Sequence, residues 1–306
     1  MAAPAPASVV VVANPTAGGG KAGKLIGRVD DRLRALRVDH QILVAESAAD
    51  MEATARSAAE AGADVVAVLG GDGTVSCAAN GVIGTGSAMA VIPAGTGDDF
   101  AKAIGAGRFE QALRLLANPK IRPIDVALVI AGAERRHFVN IAGAGFDSEV
   151  NETANTMSGR LGGTGTYVAA LIKTLSRFTP AHYELQVDGE ALSVDAMLTV
   201  IGSGVSFGGG MKVLPDAILD DGFLDICIVE ALSKAAFLWA FPRVFAGRHT
   251  THPKVRMLRA RNVRVEANRK IQVYADGERV GALPAVFEVM PGALSVVAGP
   301  DAKGLR

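Results

Sequence analysis

The chain has 306 residues, 49% hydrophobic and 20% charged, which excludes global disorder and allows a sizeable core. Lys plus Arg and Asp plus Glu both total 31, so the formal net charge is zero and the basic excess of a nucleic-acid-binding domain is missing. Cys77 and Cys227 lie far apart with no CxxC spacing, which fits a reducing compartment and small core residues rather than a structural zinc site.

Residues 1–8 are Pro/Ala-rich and uncharged, and the apolar run behind them stops at Asn14-Pro15, too short for a signal-peptide core. No stretch approaches the ~20 apolar residues of a spanning helix. The expectation is a cytoplasmic protein whose membrane contact is peripheral.

Residues 9–12 are four consecutive valines, the pattern of a strand buried on both faces. Leu25, Ile26, Val29, Leu33 and Leu36 then recur at helical spacing. A strand over 40–45, a helix over 48–61 closed by Gly62, and a strand over 64–69 follow. A helix over 75–83, a strand over 88–92 and a helix over 109–117 complete the first part. This βαβα rhythm predicts a doubly wound, mostly parallel sheet whose ligands sit beyond the carboxyl ends of the strands.

From about residue 124 the rhythm changes to short strand-like runs separated by turns such as Asp188-Gly189, Asp221-Gly222 and Asp276-Gly277. Helical patterns survive only around 166–178 and 233–246. The fold class expected is α/β: an N-terminal parallel-sheet nucleotide domain over 1–125, then a β-rich, sandwich-like domain over 126–290. The last strand, within 291–302, could join either.

Three strand ends carry glycine turns. Gly18-Gly19-Gly20-Lys21-Ala22-Gly23-Lys24-Leu25 fits a Walker A up to its last position, where Leu25 has no oxygen for magnesium. It fits GxGxxG too, but four residues separate it from the strand. What survives is a loop able to bring backbone N–H groups to phosphate oxygens. Gly70-Gly71-Asp72-Gly73-Thr74 adds a carboxylate and a hydroxyl to such a turn. Gly95-Thr96-Gly97-Asp98-Asp99 has the same form, and alone its two acids would read as a helix N-cap and first-turn acid. Together the three turns point to a polyphosphate site.

These turns, followed by Asn140-Ile141-Ala142-Gly143-Ala144-Gly145-Phe146-Asp147, Leu219-Asp220-Asp221-Gly222-Phe223 and Asp276-Gly277-Glu278, resemble the diacylglycerol kinase and sphingosine kinase superfamily, in its soluble bacterial form, over almost the whole chain. The resemblance implies transfer of the γ-phosphate of ATP to a lipid hydroxyl, most simply that of diacylglycerol, giving phosphatidic acid. It implies nucleotide contacts at Asn14, Pro15, Thr16, Ala17, Gly18, Gly70, Gly71, Asp72, Gly73, Thr74, Val75, Ser76 and Thr96. It makes Glu278 the proton acceptor, places Asp72 near the γ-phosphate or its metal, and maps a Mg²⁺ site onto Ile218, Asp221 and Phe223. Asp125 and Asp276 are candidate second carboxylates. Read without the resemblance, Asp276-Gly277-Glu278 is a hairpin turn with exposed acids.

Two departures stand out. Ser76-Cys77 replaces the family's Asn-Glu, which weakens that contact, and Ala45 stands where many relatives have Thr. The partners implied are a lipid substrate and the inner face of a membrane, with no nucleic acid; a homodimer is compatible with the pattern. The apolar cluster Phe237, Leu238, Trp239, Phe241 and Phe245, with Arg243, Arg248, Lys254, Arg256, Arg259, Arg261 and Arg264 after it, reads as a membrane-facing edge or as a core helix and a solvated basic strand. The rival functions are an NAD kinase-type phosphotransferase and a non-catalytic nucleotide sensor.

Overall fold

The computed structural model describes residues 8–157 and 162–306; the Pro/Ala-rich start, residues 1–7, lies outside them. The first part runs β1 (Val9–Ala13), α1 (Ala17–Ala35), β2 (His40–Val44), α2 (Ala48–Glu60), β3 (Val65–Gly70), α3 (Asp72–Val82), β4 (Ala88–Pro93), α4 (Asp99–Ala103) and α5 (Phe109–Ala117). Strands β2, β1, β3 and β4 pair in that order, all parallel. Every residue of β3 and β4 is buried, because helices cover both faces of the sheet. This accounts for the unbroken apolar runs.

The second part runs β5 (Ile121–Ala131), β6 (Glu134–Phe138), β7 (Ile141–Gly145), α6 (Phe146–Thr156), α7 (Gly162–Arg177), β8 (Ala181–Val187), β9 (Glu190–Gly202), β10 (Leu224–Glu230), α8 (Lys234–Ala240), β11 (Val255–Ala260), β12 (Asn262–Ala267), β13 (Gln272–Ala275), β14 (Glu278–Ala282) and β15 (Ala285–Val297). It is antiparallel and turns its corners through long strands. The first half of β9 pairs with β8, and its second half pairs with β7 on one edge and β10 on the other. Strand β10 shows the resulting alternation: Leu224, Ile226 and Ile228 enter the sandwich interior, while Cys227 faces the core under α6, α7 and α8. Cys227 is thus the buried core residue expected.

Strand β15 joins the two parts. Residues 285–288 pair antiparallel with β12, and Ser295 and Val296 pair parallel with Ala88 and Met89 of β4. Its other edge is paired antiparallel with β5, with an irregularity between Met290 and Leu294. Asp125 holds that irregularity. Its Oδ1 accepts from the N–H of Gly292 at 2.9 Å and its Oδ2 from the N–H of Gly222 at 2.6 Å, and it is 4% exposed. Asp125 therefore clamps the strand that crosses between the two parts and is not among the cleft-lining groups.

Candidate active site

The three glycine turns meet at the carboxyl ends of β1, β3 and β4. The chain leaves β1 at Asn14, whose Nδ2 donates to Thr74 Oγ1 at 3.4 Å and whose Oδ1 accepts from the N–H and hydroxyl of Thr16. Gly18, Gly19 and Gly20 all have positive φ, between 61° and 86°, a left-handed bend that side chains with a Cβ resist. A Cβ on Gly18 would stand 2.2 Å from the carbonyl oxygen of Ala94, and one on Gly95 2.8 Å from the Cα of Gly71. The turns touch backbone to backbone, so glycine is required for that contact.

Of the expected nucleotide contacts, Asp72 and Thr96 line the cleft between the two parts. Asn14, Pro15, Thr16, Ala17 and Gly18 lie beside them with Gly70, Gly71, Gly73 and Thr74. Val75 and Ser76 are buried inside α3 at 2% and 1% exposure, where their side chains are out of reach of a ligand. Asp72 Oδ1 accepts from the N–H of Phe100 at 3.2 Å. Burial pushes its carboxyl up to about 6, against that hydrogen bond, and the nearby Asp99, Asp98 and Asp276 add to the rise. Asp98, Asp99 and Asp276 are engaged by backbone N–H groups, and Asp72, with one such bond, is the residue of the four that would hold a magnesium accompanying a nucleotide.

Opposite them stands the second part. Asp99, buried, accepts from Ser206 Oγ at 3.1 Å and from the N–H of Gly209 at 3.0 Å, tying α4 to the loop 206–210. Asp276 caps three backbone N–H groups, those of Val139, Asn140 and Ile141, at 2.9, 3.0 and 3.1 Å. Burial raises its carboxyl although these bonds oppose the shift. The hydroxyl of Ser76, 1% exposed, faces Asp276 without closing a hydrogen bond of good geometry.

Glu278 does not line the cleft beside Asp276 and Gly277. Its Oε2 pairs with Arg136 at 2.8 Å, and its Oε1 accepts from the Cys77 thiol at 3.2 Å. Burial, reinforced by Glu278, pushes that thiol up to about 12, so it stays protonated and donates. Cys77 is therefore buried, as expected, but serves a carboxylate rather than plain packing. A glutamate at 77 would set two carboxylates face to face here, which a thiol avoids. Asp72 and Cys77 are five residues apart on α3, about 7.5 Å of helix rise.

Ile218, Asp221 and Phe223 share one loop, but the Asp221 carboxylate is already engaged. Arg259 pairs with its Oδ2, Arg306 approaches the same oxygen at 3.6 Å, and Oδ1 accepts from the N–H of Phe223 at 3.1 Å. As arranged, the loop offers Mg²⁺ no free carboxylate and does not fit it. Among the described residues no group of three or more His, Cys, Asp and Glu side chains has a metal-holding arrangement.

Beside the cleft, the second part holds an apolar cavity that opens to solvent, between β9, β10 and α6, α7, α8. Cavity and cleft share part of their walls: Asp147, Leu171, Phe207, Met211 and Phe241. Phe237, Phe241 and Val244 line the cavity from within, and Phe245 lines the cleft, while Leu238 and Trp239 of the same segment point outward at 48% and 65% exposure. The core reading holds for Phe237, Phe241 and Val244. The basic stretch after it is largely paired internally: Lys254 and Arg256 with Glu230, Arg259 with Asp221 and Asp225, Arg264 with Glu266. Arg243 instead stacks on Trp239, 3.8 Å from the ring centre.

Residues 8–129 match the diacylglycerol kinase catalytic domain, and residues 140–298 match the YegS C-terminal NAD kinase beta sandwich-like domain. A diacylglycerol kinase of Mycobacterium tuberculosis (strain CDC 1551 / Oshkosh) is 36% identical over 294 residues, covering 94% of each chain. The chain belongs to the diacylglycerol kinase family. A diacylglycerol kinase of Bacillus subtilis (strain 168) is 30% identical, covering 90% of this chain and 91% of that one. A crystal structure of a diacylglycerol kinase from Bacillus anthracis str. Sterne has the same fold, with a TM-score of 0.74 at 23% identity over 97% of this chain and 98% of that one. A second crystal structure from that organism reaches 0.81 at 24% identity, covering 98% of each chain. The chain is thus an ATP-dependent lipid kinase, and the family match decides against the NAD kinase-type reading. No helix among the described residues is long and apolar enough to cross a membrane.

Three parts of the site were missed from sequence. They are the tie of Asp99 to the second part, the pairing of Arg136 with Glu278, and the loop 206–210. Its triple glycine, Gly208-Gly209-Gly210, repeats the Gly18-Gly19-Gly20 signal and could have flagged a loop facing the phosphate turns.

Proposed function

We propose that this kinase transfers the γ-phosphate of ATP to the free hydroxyl of diacylglycerol, at the inner face of a membrane. The observation that carries the reading is the shared wall: an acidic, glycine-lined cleft opens beside an apolar cavity, as a substrate with a polar head and hydrocarbon tails requires. Relatives called diacylglycerol kinases along nearly their whole length support the choice of acceptor.

Phosphoryl transfer asks a protein to position the reactants and offset charge. In this reading the backbone of Asn14, Pro15, Thr16, Ala17 and Gly18 and of Gly70, Gly71, Gly73 and Thr74 cradles the phosphates, with Thr96 at the cleft. Magnesium would supply charge neutralisation for the transferred phosphate, and Asp72 would be the residue to hold it. Glu278 is the proton acceptor; it must exchange its bond with Arg136 for one with the acceptor hydroxyl, and Asp276 fixes the turn that carries it. The exposed side chains Leu238 and Trp239 meet the bilayer, with Arg243 beside them.

The test is labelled ATP with a lipid panel in mixed micelles. Phosphatidic acid is the product expected. Phosphorylation of another lipid in preference to diacylglycerol would reassign the acceptor, and no lipid product at all would sink the reading.

A further inference from the structure

Of the five side chains shared by the apolar cavity and the cleft, four are hydrophobic, and the fifth is Asp147. Hydrocarbon explains Leu171, Phe207, Met211 and Phe241 at such a neck; it does not explain a carboxyl. Asp147 is 8% exposed and its Oδ1 is buried with no hydrogen-bond partner among the described residues. Only the backbone N–H groups of Ser148 and of Asp147 itself turn toward the carboxyl; among the described residues no side chain does. The strand beneath makes room for it: a Cβ on Gly143 of β7 would stand 1.7 Å from Oδ2. A buried polar atom left open in this way is normally answered by a partner. The place where it stands open is where a molecule with its tail in the cavity and its head in the cleft must pass.

We propose that the Asp147 carboxyl binds the head of the lipid acceptor at this neck, accepting a hydrogen bond from a head-group hydroxyl while the tails lie in the cavity. The inference rests on the lipid-acceptor reading and adds the residue that recognises the head. Phe146, the preceding residue, packs its ring edge-to-face on Phe178 and Phe237, which fixes the first turn of α6 and with it the carboxyl. The competing role is that of an acid favouring a helix N-terminus. That role needs neither burial nor a place on two cavities, and it predicts a loss of stability rather than of lipid affinity.

The experiment compares wild type with Asp147→Leu, Asp147→Ala and Asp147→Asn, using the full chain and dioctanoylglycerol. It measures KM for lipid and for ATP, melting temperature, and lipid Kd by calorimetry without ATP. Asp147→Leu and Asp147→Ala should raise the lipid KM and Kd roughly 10- to 100-fold, the size of leaving a buried head-group hydroxyl without its acceptor. The KM for ATP should stay within about twofold. Asp147→Asn, which keeps a carbonyl acceptor, should recover part of the affinity. Asp147→Leu should melt no lower than wild type, since it replaces an open polar group with an apolar one; if it does not fold, Asp147→Ala decides. Lipid KM and Kd unchanged in a folded variant, with wild type active, overturn the inference and leave the acceptor reading standing. A wild type that binds dioctanoylglycerol without phosphorylating it, and loses that binding in Asp147→Ala, keeps the head-group site and removes the acceptor reading. A wild type that neither binds nor phosphorylates it overturns both.

Discussion

Glu278 at the start of β14 and Arg136 on β6 hold each other at 2.8 Å, and the second guanidinium nitrogen reaches Glu52 of α2 at 3.4 Å. One arginine thus links the proposed base to a helix of the nucleotide-binding part. Glu278→Gln separates chemistry from binding, because the amide keeps the shape and one acceptor but takes up no proton. kcat should fall by roughly 10²–10⁴-fold with ATP affinity nearly unchanged. A kcat near wild type would remove Glu278 from the mechanism.

Asp72→Asn should abolish transfer while leaving the fold intact. It carries a pH signature as well. The folded carboxyl is raised from 3.8 to about 6, so between those values the folded state holds the extra proton and stability declines as pH rises. The penalty is complete above about pH 6, with an upper bound of about 3 kcal/mol at 1.36 per unit. Asp72→Asn should therefore melt higher than wild type at pH 8, and the gap should close toward pH 4. Melting curves that differ equally at both pH values would refute the assignment of burial as the cause.

Asp125→Ala should cost stability and spare chemistry. Both its oxygens hold backbone N–H groups, so the alanine variant leaves Gly222 and Gly292 without partners at a cost of about 3 kcal/mol. Thermal melting should shift down by several degrees. Activity per folded molecule at a temperature well below the transition should match wild type, whereas a catalytic carboxylate would lose turnover instead.

Chelating Mg²⁺ should stop turnover but leave the melting temperature of the nucleotide-free protein unchanged, because Arg259 and Arg306 already neutralise Asp221. Arg259→Ala frees that carboxylate, and Mg²⁺ should then raise the melting temperature by mass action. Stabilisation of the wild-type protein by Mg²⁺ alone would show that the cation displaces the arginines.

Trp239→Ser combined with Leu238→Ser should weaken binding to anionic phospholipid vesicles without altering kcat on micellar dioctanoylglycerol. The two side chains are 65% and 48% exposed, so the change should move the melting temperature little. Cosedimentation with vesicles reads the first effect. Equal binding by variant and wild type would place the membrane contact elsewhere.

The parallel half was legible because its signals are local. Four β-branched valines in a row, ended by Asn14-Pro15, favour a strand covered on both sides, and Gly70-Gly71-Asp72-Gly73-Thr74 states its own turn. What escaped depends on chain segments far apart in sequence. Nothing near Asp147 shows that it will be buried between two cavities, since Leu171, Met211 and Phe241 supply the walls. The engagement of Asp221 is set by an arginine 38 residues away, which the sequence displays only as one cation among several. Cys77 looked like packing because its partner, Glu278, is 201 residues distant.

The crossing strand has a consequence for how the chain is made. The parallel sheet is complete only when Ser295 and Val296 take their places beside Ala88 and Met89. During synthesis, which runs at roughly 5–20 residues per second, the edge of β4 stays open until some two hundred further residues, through Val296, have emerged. An apolar edge left unpaired for that time is a template for wrong partners. Docking of the last strand is a contact between distant segments and late by necessity. A nascent chain stalled before residue 285 should therefore be the form that chaperones hold, and the nucleotide-binding sheet should close only once Ser295 and Val296 are free to dock.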